Sequence, residues 1–372
     1  MTNLPPLTGE QDFPDQINPE RNYKFPNPND EEKNKDDLIL SELAKGILSF
    51  KEFEKFSTPP RVPVLGSWFN EGNYGLIFAK AGVGKTWLSL HMAQSIAEGK
   101  DCGPWACHKP RRVLYVDGEM PGASLKSRYS GLRLDESDSS AENIFFLTHE
   151  TPWPKELGKR IDLKKEPTQR AILKHCQKNQ IEVVFLDNLS CLFRRVKENE
   201  ADDWENPADW ILDFKESGVA VVLVLHSNRT GNNPRGTSRR EDDATWTIQL
   251  KKTDDSKLGE GEGAKFVAKF TKNREGSRDE THDLVFRYKP YGTKTEVTYE
   301  RLGLIDIFKQ YLAIPEMDTC KAITTAMCSD GHNVNAVQVS RFAKKGEEEG
   351  WLKKKGEGRG TRYEPSNHQD RI

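Results

Sequence analysis

The segment Ala79–Thr86 restricts the fold of this chain more than any other part of its sequence. It reads Ala-Lys-Ala-Gly-Val-Gly-Lys-Thr and stands between an apolar run, Leu76–Phe78, and a stretch of helical periodicity, Thr86–Ala97. A glycine-containing turn between a strand and a helix binds phosphate, because its backbone N–H groups and the helix N-terminus point at the phosphate oxygens. The sequence therefore predicts a strand–loop–helix unit that holds a phosphate group.

The individual residues of this loop predict binding of ATP with Mg²⁺. In the pattern GxxxxGK[ST], Lys85 reaches the β- and γ-phosphates and the Thr86 hydroxyl ligates Mg²⁺. Ala79 stands where the first glycine of the pattern is expected, whereas Gly82 and Gly84 keep the inner loop free of side chains. The residues expected to contact the nucleotide are Ala81, Gly82, Val83, Gly84, Lys85, Thr86 and Trp87.

Two acidic residues follow other apolar runs of strand length. Asp187 comes directly after Val183–Leu186, where a P-loop protein holds Mg²⁺ through an aspartate, so we expect Asp187 and Thr86 to form the metal site. Glu119 follows the end of Val113–Val116, where a carboxylate can reach the water that attacks the γ-phosphate. The alternative for Glu119 is a capping or solvated carboxylate.

Apolar runs and helical segments alternate through the middle of the chain. The predicted strands are Leu76–Phe78, Val113–Val116, Ile144–Leu147, Val183–Leu186 and Val219–Leu225, and the predicted helices are Thr86–Ala97, Ala123–Leu132, Thr168–Gln177 and Ala208–Glu216. This alternation indicates an α/β fold whose mostly parallel sheet is covered on both faces. After Asp243 only strands follow, and we expect them to be antiparallel additions to one edge. They are Thr245–Leu250, Lys265–Phe270, Leu284–Tyr288 and Glu296–Tyr299.

The two ends of the chain differ from this middle part, residues 72–300. Residues 1–37 contain six prolines and six asparagines and predict a disordered tail. Residues 38–71 predict a helical lead-in, capped by Asp36 or Asp37, and a Pro-rich linker. Residues 301–364 predict three helices and then a basic, Gly-rich hairpin, which is the order of a winged-helix domain, and residues 365–372 predict a second tail.

The third of these C-terminal helices is predicted over Val334–Glu348. Its apolar side chains Val337, Val339, Phe342 and Ala343 are expected to face inward.

Composition excludes several classes of protein. Hydrophobic residues make up 35% of the chain, the mean hydropathy is −0.77, and no apolar run approaches the ~20 residues of a membrane span, so we expect no membrane association. The first residues lack the features of a secretory signal, and six cysteines in 372 residues are typical of reduced thiols in a cytoplasmic protein. With a net charge of −2, contacts to nucleic acid need local basic patches.

Taken together, the motifs of the middle segment resemble the RecA/DnaB-type ATPases. The resemblance covers roughly residues 50–300 and is strongest to plasmid RepA-like hexameric helicases. It rests on the P-loop, Val113–Met120, the strand ending at Asp187, Val221–Asn228 and Pro234–Ser238. It implies a RecA-like core in which Glu119 is the catalytic base and His226, at a strand end, senses the γ-phosphate.

The same resemblance implies residues that act on a neighbouring subunit. The family inserts a Lys-x-Arg pair from a late strand into the adjacent nucleotide site, and Lys272-Asn273-Arg274 matches this pair. An arginine supplied in trans neutralises charge on the transferring phosphoryl group. Arg235 is a second candidate for a phosphate or interface role. The resemblance therefore predicts a homo-oligomeric ring, expected to be a hexamer.

The resemblance also predicts DNA contacts. Loops after Asp187 and after His226 line the central channel in such rings, and here they carry Arg194, Arg195 and Arg229. These charges suit the backbone of a single strand. In the winged-helix segment, the candidates for contact with duplex DNA are Arg341, Lys353, Lys354 and Arg359. Winged helices also serve as protein docking modules, which is the alternative for this segment.

Three functions remain open at this point. The first is an ATP-hydrolysing motor that translocates on DNA, a replicative helicase of a plasmid, phage or mobile element. The second is an ATP-controlled DNA-binding switch or helicase loader without unwinding activity. The third is a signalling ATPase that does not contact nucleic acid. Stimulation of ATP hydrolysis by single-stranded DNA distinguishes the first from the other two.

Overall fold

The structure is a computed structural model that describes residues 30–57, 60–134, 138–193, 202–235, 239–253, 263–277, 279–330, 332, 334–356, 358 and 361–366. The chain divides into two compact units, Met1–Pro60 and Arg61–Ile372. Most of the predicted N-terminal tail and nearly all of the predicted C-terminal tail lie outside the described residues. None of the helices in the described part has the length and apolar character that crossing a bilayer requires.

The first unit contains two helices, α1 (Asp30–Gly46) and α2 (Phe50–Phe53). The predicted start near Asp37 is wrong, because α1 begins seven residues earlier and passes through both proposed caps. The sequence has no proline between Pro28 and Pro59, so no residue there removes a backbone donor from the helix. Helix α2 begins with a capping box in which the Glu52 carboxylate accepts a hydrogen bond from the Ser49 N–H at 2.8 Å.

The second unit begins with a short antiparallel pair, β1 (Pro63–Leu65) and β2 (Phe69–Asn70), and continues into a nine-stranded sheet. The nine strands are β3 (Tyr74–Ala79), β4 (Val113–Asp117), β5 (Ile144–Leu147), β6 (Val183–Asp187), β7 (Ala220–His226), β8 (Trp246–Lys252), β9 (Ala264–Asn273), β10 (Leu284–Tyr291) and β11 (Lys294–Arg301). Their order across the sheet is β11-β10-β9-β8-β3-β7-β6-β4-β5.

The sheet is mostly parallel, as the apolar runs predict. Strands β3 to β7 are parallel to one another, and β9, β10 and β11 are antiparallel additions at one edge. The expectation for β8 is wrong, because β8 pairs in parallel with β3, Gly75 lying opposite Trp246. The connection from β7 to β8 spans residues 227–245. It is long enough to return the chain to the amino ends of the parallel strands, as a parallel strand requires.

Helices cover both faces of this sheet. They are α3 (Lys85–Glu98), α4 (Gly122–Leu132), α5 (Asp138–Ala141), α6 (Glu166–Lys178), α7 (Leu189–Leu192), α8 (Asp202–Glu216) and α9 (Arg239–Asp243). Alternate residues of each strand point to opposite faces, so Ile77 joins the apolar cluster under α3 and α4 while Leu76 joins the cluster under α6 and α8. Two separate apolar cores therefore hold the strand ends in place.

The chain ends in three helices and a hairpin with an apolar cluster of their own. These elements are α10 (Leu304–Leu312), α11 (Cys320–Ser329), α12 (Ala336–Glu349), β12 (Leu352–Lys355) and β13 (Arg362–Pro365). Val339 and Ala343 on α12 are buried as predicted, but Val337 is 61% exposed because it lies on the opposite side of the helix. The order of elements is the predicted one; the assignment as a winged helix remains a prediction.

Candidate nucleotide-binding site

The P-loop connects β3 to α3, and its two glycines take conformations that other residues avoid. Gly82 has φ +71° and Gly84 has φ +128°. A Cβ atom on Gly84 would lie 2.5 Å from the ring of Phe266, whereas a Cβ on Gly82 would meet nothing within 4 Å. Val83 and Trp87 are buried, and Ala81 and Gly82 are exposed. The loop is thus packed against β9 on one side and open to a ligand on the other.

Lys85 places a cation beneath this loop. Its side chain is almost fully buried, and Nζ lies 3.4 Å from the Ala79 carbonyl oxygen and 3.3 Å from that of Lys80. His226 Nδ1, at the end of β7, is also 3.3 Å from Nζ. Burial lowers the pKa of Lys85, and the nearby carboxylate of Asp187 opposes this shift. A phosphate group bound in the loop adds a negative charge that favours the ammonium form.

Asp187 lies at the end of β6 in a chain of hydroxyl groups. Its Oδ2 accepts a hydrogen bond from the Tyr115 hydroxyl at 2.8 Å, and the Thr86 hydroxyl bonds the same carboxylate. Ser89 Oγ is 2.7 Å from the Tyr115 oxygen. Burial raises the pKa of Asp187. A buried carboxylate beside a hydroxyl offers the hard oxygen ligands that Mg²⁺ prefers, so Asp187 and Thr86 fit the predicted metal site.

Asp117 fixes the backbone that carries Glu119. It ends β4 directly beside Asp187, and its Oδ1 accepts hydrogen bonds from the N–H groups of Glu119 at 2.9 Å and Met120 at 2.6 Å. Its other oxygen, Oδ2, is buried and has no hydrogen-bond partner among the described residues. Burial, with the Asp187 charge next, raises the pKa of Asp117 to about 7.

Asn188 holds the side chain of Glu119 and was not foreseen from the sequence. Its amide Nδ2 donates to Glu119 Oε2 and lies 3.3 Å from His226 Nε2, which is itself 4.0 Å from the same carboxylate oxygen. The orientation of the amide is set because its Oδ1 caps α7, accepting the Cys191 N–H at 3.1 Å. An asparagine at the N-cap position directly after the metal-site aspartate is the signal that could have identified it.

A cavity of about 440 Å³ lies beside the first turn of α3. Trp87 and Arg128 line it together with the β10–β11 turn at Gly292. The Arg128 guanidinium lies 5.0 Å from the centre of the Trp87 ring, whose other neighbour is the stacked ring of Tyr288 at 5.6 Å. A planar cation and an aromatic wall suit a nucleobase, and Arg128 was not among the sequence-predicted residues.

Lys272 and Arg274 do not join this cluster. Strand β9 runs antiparallel to β8, so its C-terminal end lies opposite Trp246, at the edge where the parallel strands begin. The P-loop follows the other end of β3. Lys272 Nζ donates to the carbonyl oxygens of Glu241 and Asp242, and Arg274 Nη2 donates to that of Asp242 at 2.8 Å. These two cations therefore cannot serve the nucleotide site of their own chain.

The residues predicted to contact DNA lie in separate places. Arg229 and Arg235 are exposed on the loop after β7, which closes on itself through the Asn228 side chain, an acceptor for the Gly231 N–H at 2.9 Å. Arg341, Lys353 and Lys354 are exposed on α12 and β12. Arg194, Arg195 and Arg359 lie outside the described residues.

A mostly parallel sheet with a P-loop, a strand-end aspartate beside the P-loop threonine and a further glutamate defines a P-loop nucleoside triphosphatase. In agreement, the AAA domain family matches residues 41–232, just over half of the chain. The chain belongs to that family, and its core is a RecA-like P-loop ATPase. Among the curated proteins it is similar to the DNA repair protein RadA of Campylobacter jejuni, with 31% identity over 123 residues. The matched segment is 30% of this chain and 24% of RadA, so the chain spans about a quarter of that relative's length.

Proposed function

We propose that this protein is an ATP-hydrolysing motor that translocates on DNA, a ring-forming replicative helicase of a plasmid, phage or mobile element. The observation that carries the proposal is the separation of two sets of charged groups. The first set lies at the carboxyl ends of the parallel strands and consists of Lys85, Glu119, Asp187 and His226. The second set, Lys272 and Arg274, lies at the amino ends of these strands. Such a division suits catalysis at contacts between identical subunits.

Hydrolysis at this site is a transfer of the γ-phosphoryl group to water. Lys85 binds the β- and γ-phosphate oxygens, and the P-loop N–H groups orient them. Mg²⁺, held by Thr86 and Asp187, neutralises charge on the phosphates when bound. Glu119 accepts a proton from the attacking water while the bond from the γ-phosphorus to the bridging oxygen breaks, and ADP and phosphate are the products. Asn188 orients the Glu119 carboxylate for this step.

His226 connects the nucleotide to the loop that carries Arg229. The imidazole contacts Lys85 on one side and approaches Glu119 on the other, so it lies where the γ-phosphate would be sensed. The loop begins at the next residue, and the Ser227 N–H donates to the carbonyl oxygen of Ala79 at 2.9 Å. In this proposal, loss of the γ-phosphate changes the contacts of His226 and therefore the position of the adjoining loop, which carries Arg229 and contacts DNA. This link supports a motor over an ATPase without nucleic acid.

The three C-terminal helices and their hairpin act in this proposal as a winged-helix domain that binds DNA. Several exposed cationic side chains project from α12 and the hairpin, among them Arg341, Lys353 and Lys354. The contacts to phosphate are assigned to these three. The similarity to a DNA repair protein supports an association with DNA.

The test is the rate of ATP hydrolysis with and without single-stranded DNA, for the wild type, Lys85→Ala and Glu119→Gln. We expect stimulation by DNA, no hydrolysis in Lys85→Ala, and a loss of about 10²–10⁴-fold in Glu119→Gln with nucleotide binding retained. Glu142→Gln, an exposed glutamate remote from the P-loop, is the matched control and keeps the wild-type rate.

Two results would redirect the proposal. Hydrolysis that continues in Glu119→Gln contradicts the assignment of the general base. Hydrolysis that is indifferent to single strands, together with binding of duplex DNA, favours the ATP-controlled switch or loader. The separate apolar cluster of the C-terminal helices is the observation that favours this second candidate, because a domain with its own core can bind DNA independently of the ATPase cycle.

A further inference from the structure

A basic cleft opens between the edge of the sheet and the C-terminal helices. Its volume is about 570 Å³, and β8, β9, β10, β11 and α10 all contribute to it. Lys251, Lys252 and Lys265 line its sheet side, and Lys309 and Gln310 line its helix side. None of these residues belongs to the nucleotide site, and none was predicted from the sequence to be a functional residue.

Strand register explains why lysines point into this cleft. Lys251, Val267 and Val285 lie side by side on β8, β9 and β10. Their chain neighbours Leu250 and Phe266 belong to the apolar cluster on the opposite face. Since side chains alternate along a strand, the row that begins at Lys251 faces the C-terminal helices.

The charge in the cleft is mostly positive. Against the lysines stand two carboxylates, Glu300 and Asp306, and Asp306 lies 3.7 Å from Lys309. The ammonium of Lys309 also lies 4.6 Å from the centre of the Trp351 ring, so this side chain is already engaged. Burial lowers the pKa of Lys251, the positive charge of Lys269 lowers it further, and the nearby carboxylate of Asp283 opposes the shift. An anion in the cleft would relieve this crowding of positive charge.

The loop that follows His226 contacts the same face of β8 as the cleft. Gln249 precedes Lys251 by two residues and therefore lies on the same face of β8. Its Nε2 donates to the carbonyl oxygen of Gly231 at 2.7 Å, which fixes the loop carrying Arg229 against that face. The loop that carries Arg229 and the cleft residue Lys251 therefore lie on the same face of β8.

We propose that this cleft binds the sugar–phosphate backbone of a single DNA strand and extends its path from the Arg229 loop toward the C-terminal helices. The inference rests on the proposed function. The lining residues include lysines, Thr253 and Gln310 but no aromatic side chain among the described residues. Lysines contact phosphate, whereas bases are bound by stacking on aromatic surfaces. The cleft therefore binds the sugar–phosphate backbone without sequence preference.

The test compares Lys251→Gln/Lys265→Gln with Lys174→Gln/Lys178→Gln, a pair of exposed lysines on α6. The affinity of the full-length protein for a fluorescent single-stranded oligonucleotide is measured over a range of salt concentrations. Two lost phosphate contacts lower the slope of log affinity against log salt by about 1.4 and weaken binding about ten- to thirtyfold at 0.1 M salt. The α6 pair leaves both values unchanged. ATP hydrolysis without DNA stays at the wild-type rate in both variants.

Each result has a definite meaning. A lower slope in the Lys251→Gln/Lys265→Gln protein alone supports the cleft. Wild-type protein that binds single strands, with the same slope and affinity in that variant, overturns this inference and leaves the proposed function intact. Wild-type protein with no affinity for single strands overturns the proposed function and this inference with it.

Discussion

Charged side chains are buried at both ends of the parallel strands of the central sheet, but the two ends differ in how these charges are balanced. At the edge where the parallel strands begin, Arg111 is 1% exposed and donates to Glu71 at 2.5 Å, Glu182 at 2.7 Å and the Pro63 carbonyl oxygen at 2.9 Å. At the edge where they end, Asp117 and Asp187 are two like charges on adjacent strands. At the first end the buried cation is paired with carboxylates of the same chain. At the second end two carboxylates lie side by side, and a bound cation would balance their charge.

This difference separates charges that stabilise the fold from charges available for chemistry. Burial lowers the pKa of Lys85 and raises those of Asp117 and Asp187, so burial disfavours the ionised forms of all three. Groups perturbed in this way cluster at functional sites. A nucleotide with its metal ion supplies the opposite charges that these groups lack. The site is therefore complete only when ATP is bound.

The largest expected effect concerns Arg274. This residue lies where the parallel strands of its own chain begin, and it is proposed to act at the nucleotide site of a neighbouring subunit. Arg274→Ala should reduce ATP hydrolysis about 10³-fold, the low end of the range for an arginine supplied in trans. Mixing it with Lys85→Ala should restore activity at up to about one quarter of the interfaces, because one subunit then supplies an intact P-loop and its neighbour an intact arginine. Steady-state hydrolysis of the mixtures measures this.

The matched control for that mixture is Lys85→Ala with Glu119→Gln. Lys85 and Glu119 act in the same chain, so no interface in this second mixture contains a complete site, and the activity should stay low. Rescue in both mixtures, or in neither, would contradict the assignment of Arg274 to a neighbouring site.

An intermediate effect is expected at Arg111. Arg111→Met leaves Glu71 and Glu182 without their buried partner and should lower the free energy of unfolding by about 2–3 kcal/mol, less than for a fully buried pair because both carboxylates are about one-third exposed. Lys109→Met is the control. Its half-exposed ammonium lies 3.7–3.9 Å from the same carboxylates, so the loss should stay below about 1 kcal/mol. Urea denaturation measures both, and equal losses would show that the buried position of Arg111 is unimportant.

A third effect, small over any one pH unit, concerns the pH dependence of stability. Asp117 has a pKa of about 7 in the folded chain, well above its usual value, so between about pH 4 and 7 the folded state holds a proton that the unfolded state has lost. This group therefore makes the wild type less stable as pH rises, by at most about 1.4 kcal/mol per pH unit. Asp117→Asn retains an acceptor for the two N–H groups but does not titrate.

The measurement is the unfolding free energy of both proteins at several pH values without nucleotide or Mg²⁺. The difference, Asp117→Asn minus wild type, should increase up to about pH 7 and then level off, since both states of the wild type are ionised above that pH. A difference that does not change with pH would contradict the raised pKa of Asp117.

The sequence predicts strands β3 to β7 because each contains a continuous apolar run. It also places Lys85, Glu119, Asp187 and His226 near one another, since all four follow parallel strands and the carboxyl ends of parallel strands share an edge. The direction of β8 was not predictable in this way. It depends on the path of residues 227–245, which no periodicity in that segment encodes.

The contacts of Asn188 and Asp117 could not be predicted because they depend on strand order. Strand β4 lies between β5 and β6, which brings Asp117 beside Asp187 and Glu119 beside Asn188. Strand order follows from how helices pack on both faces, and the local sequence of β4 or β6 carries no record of it. The separation of Lys272 from the P-loop depends likewise on β9 being antiparallel to β8.

Asn188 has little freedom to be substituted. Its oxygen caps α7 while its nitrogen holds Glu119, so one side chain must present an acceptor and a donor in a fixed arrangement. Aspartate would keep the cap and lose the donor, and alanine would lose both. Glutamine carries both groups but is one methylene longer, which moves the amide away from the cap. A change at this position can therefore be accommodated only if α7 or the segment after β4 changes with it.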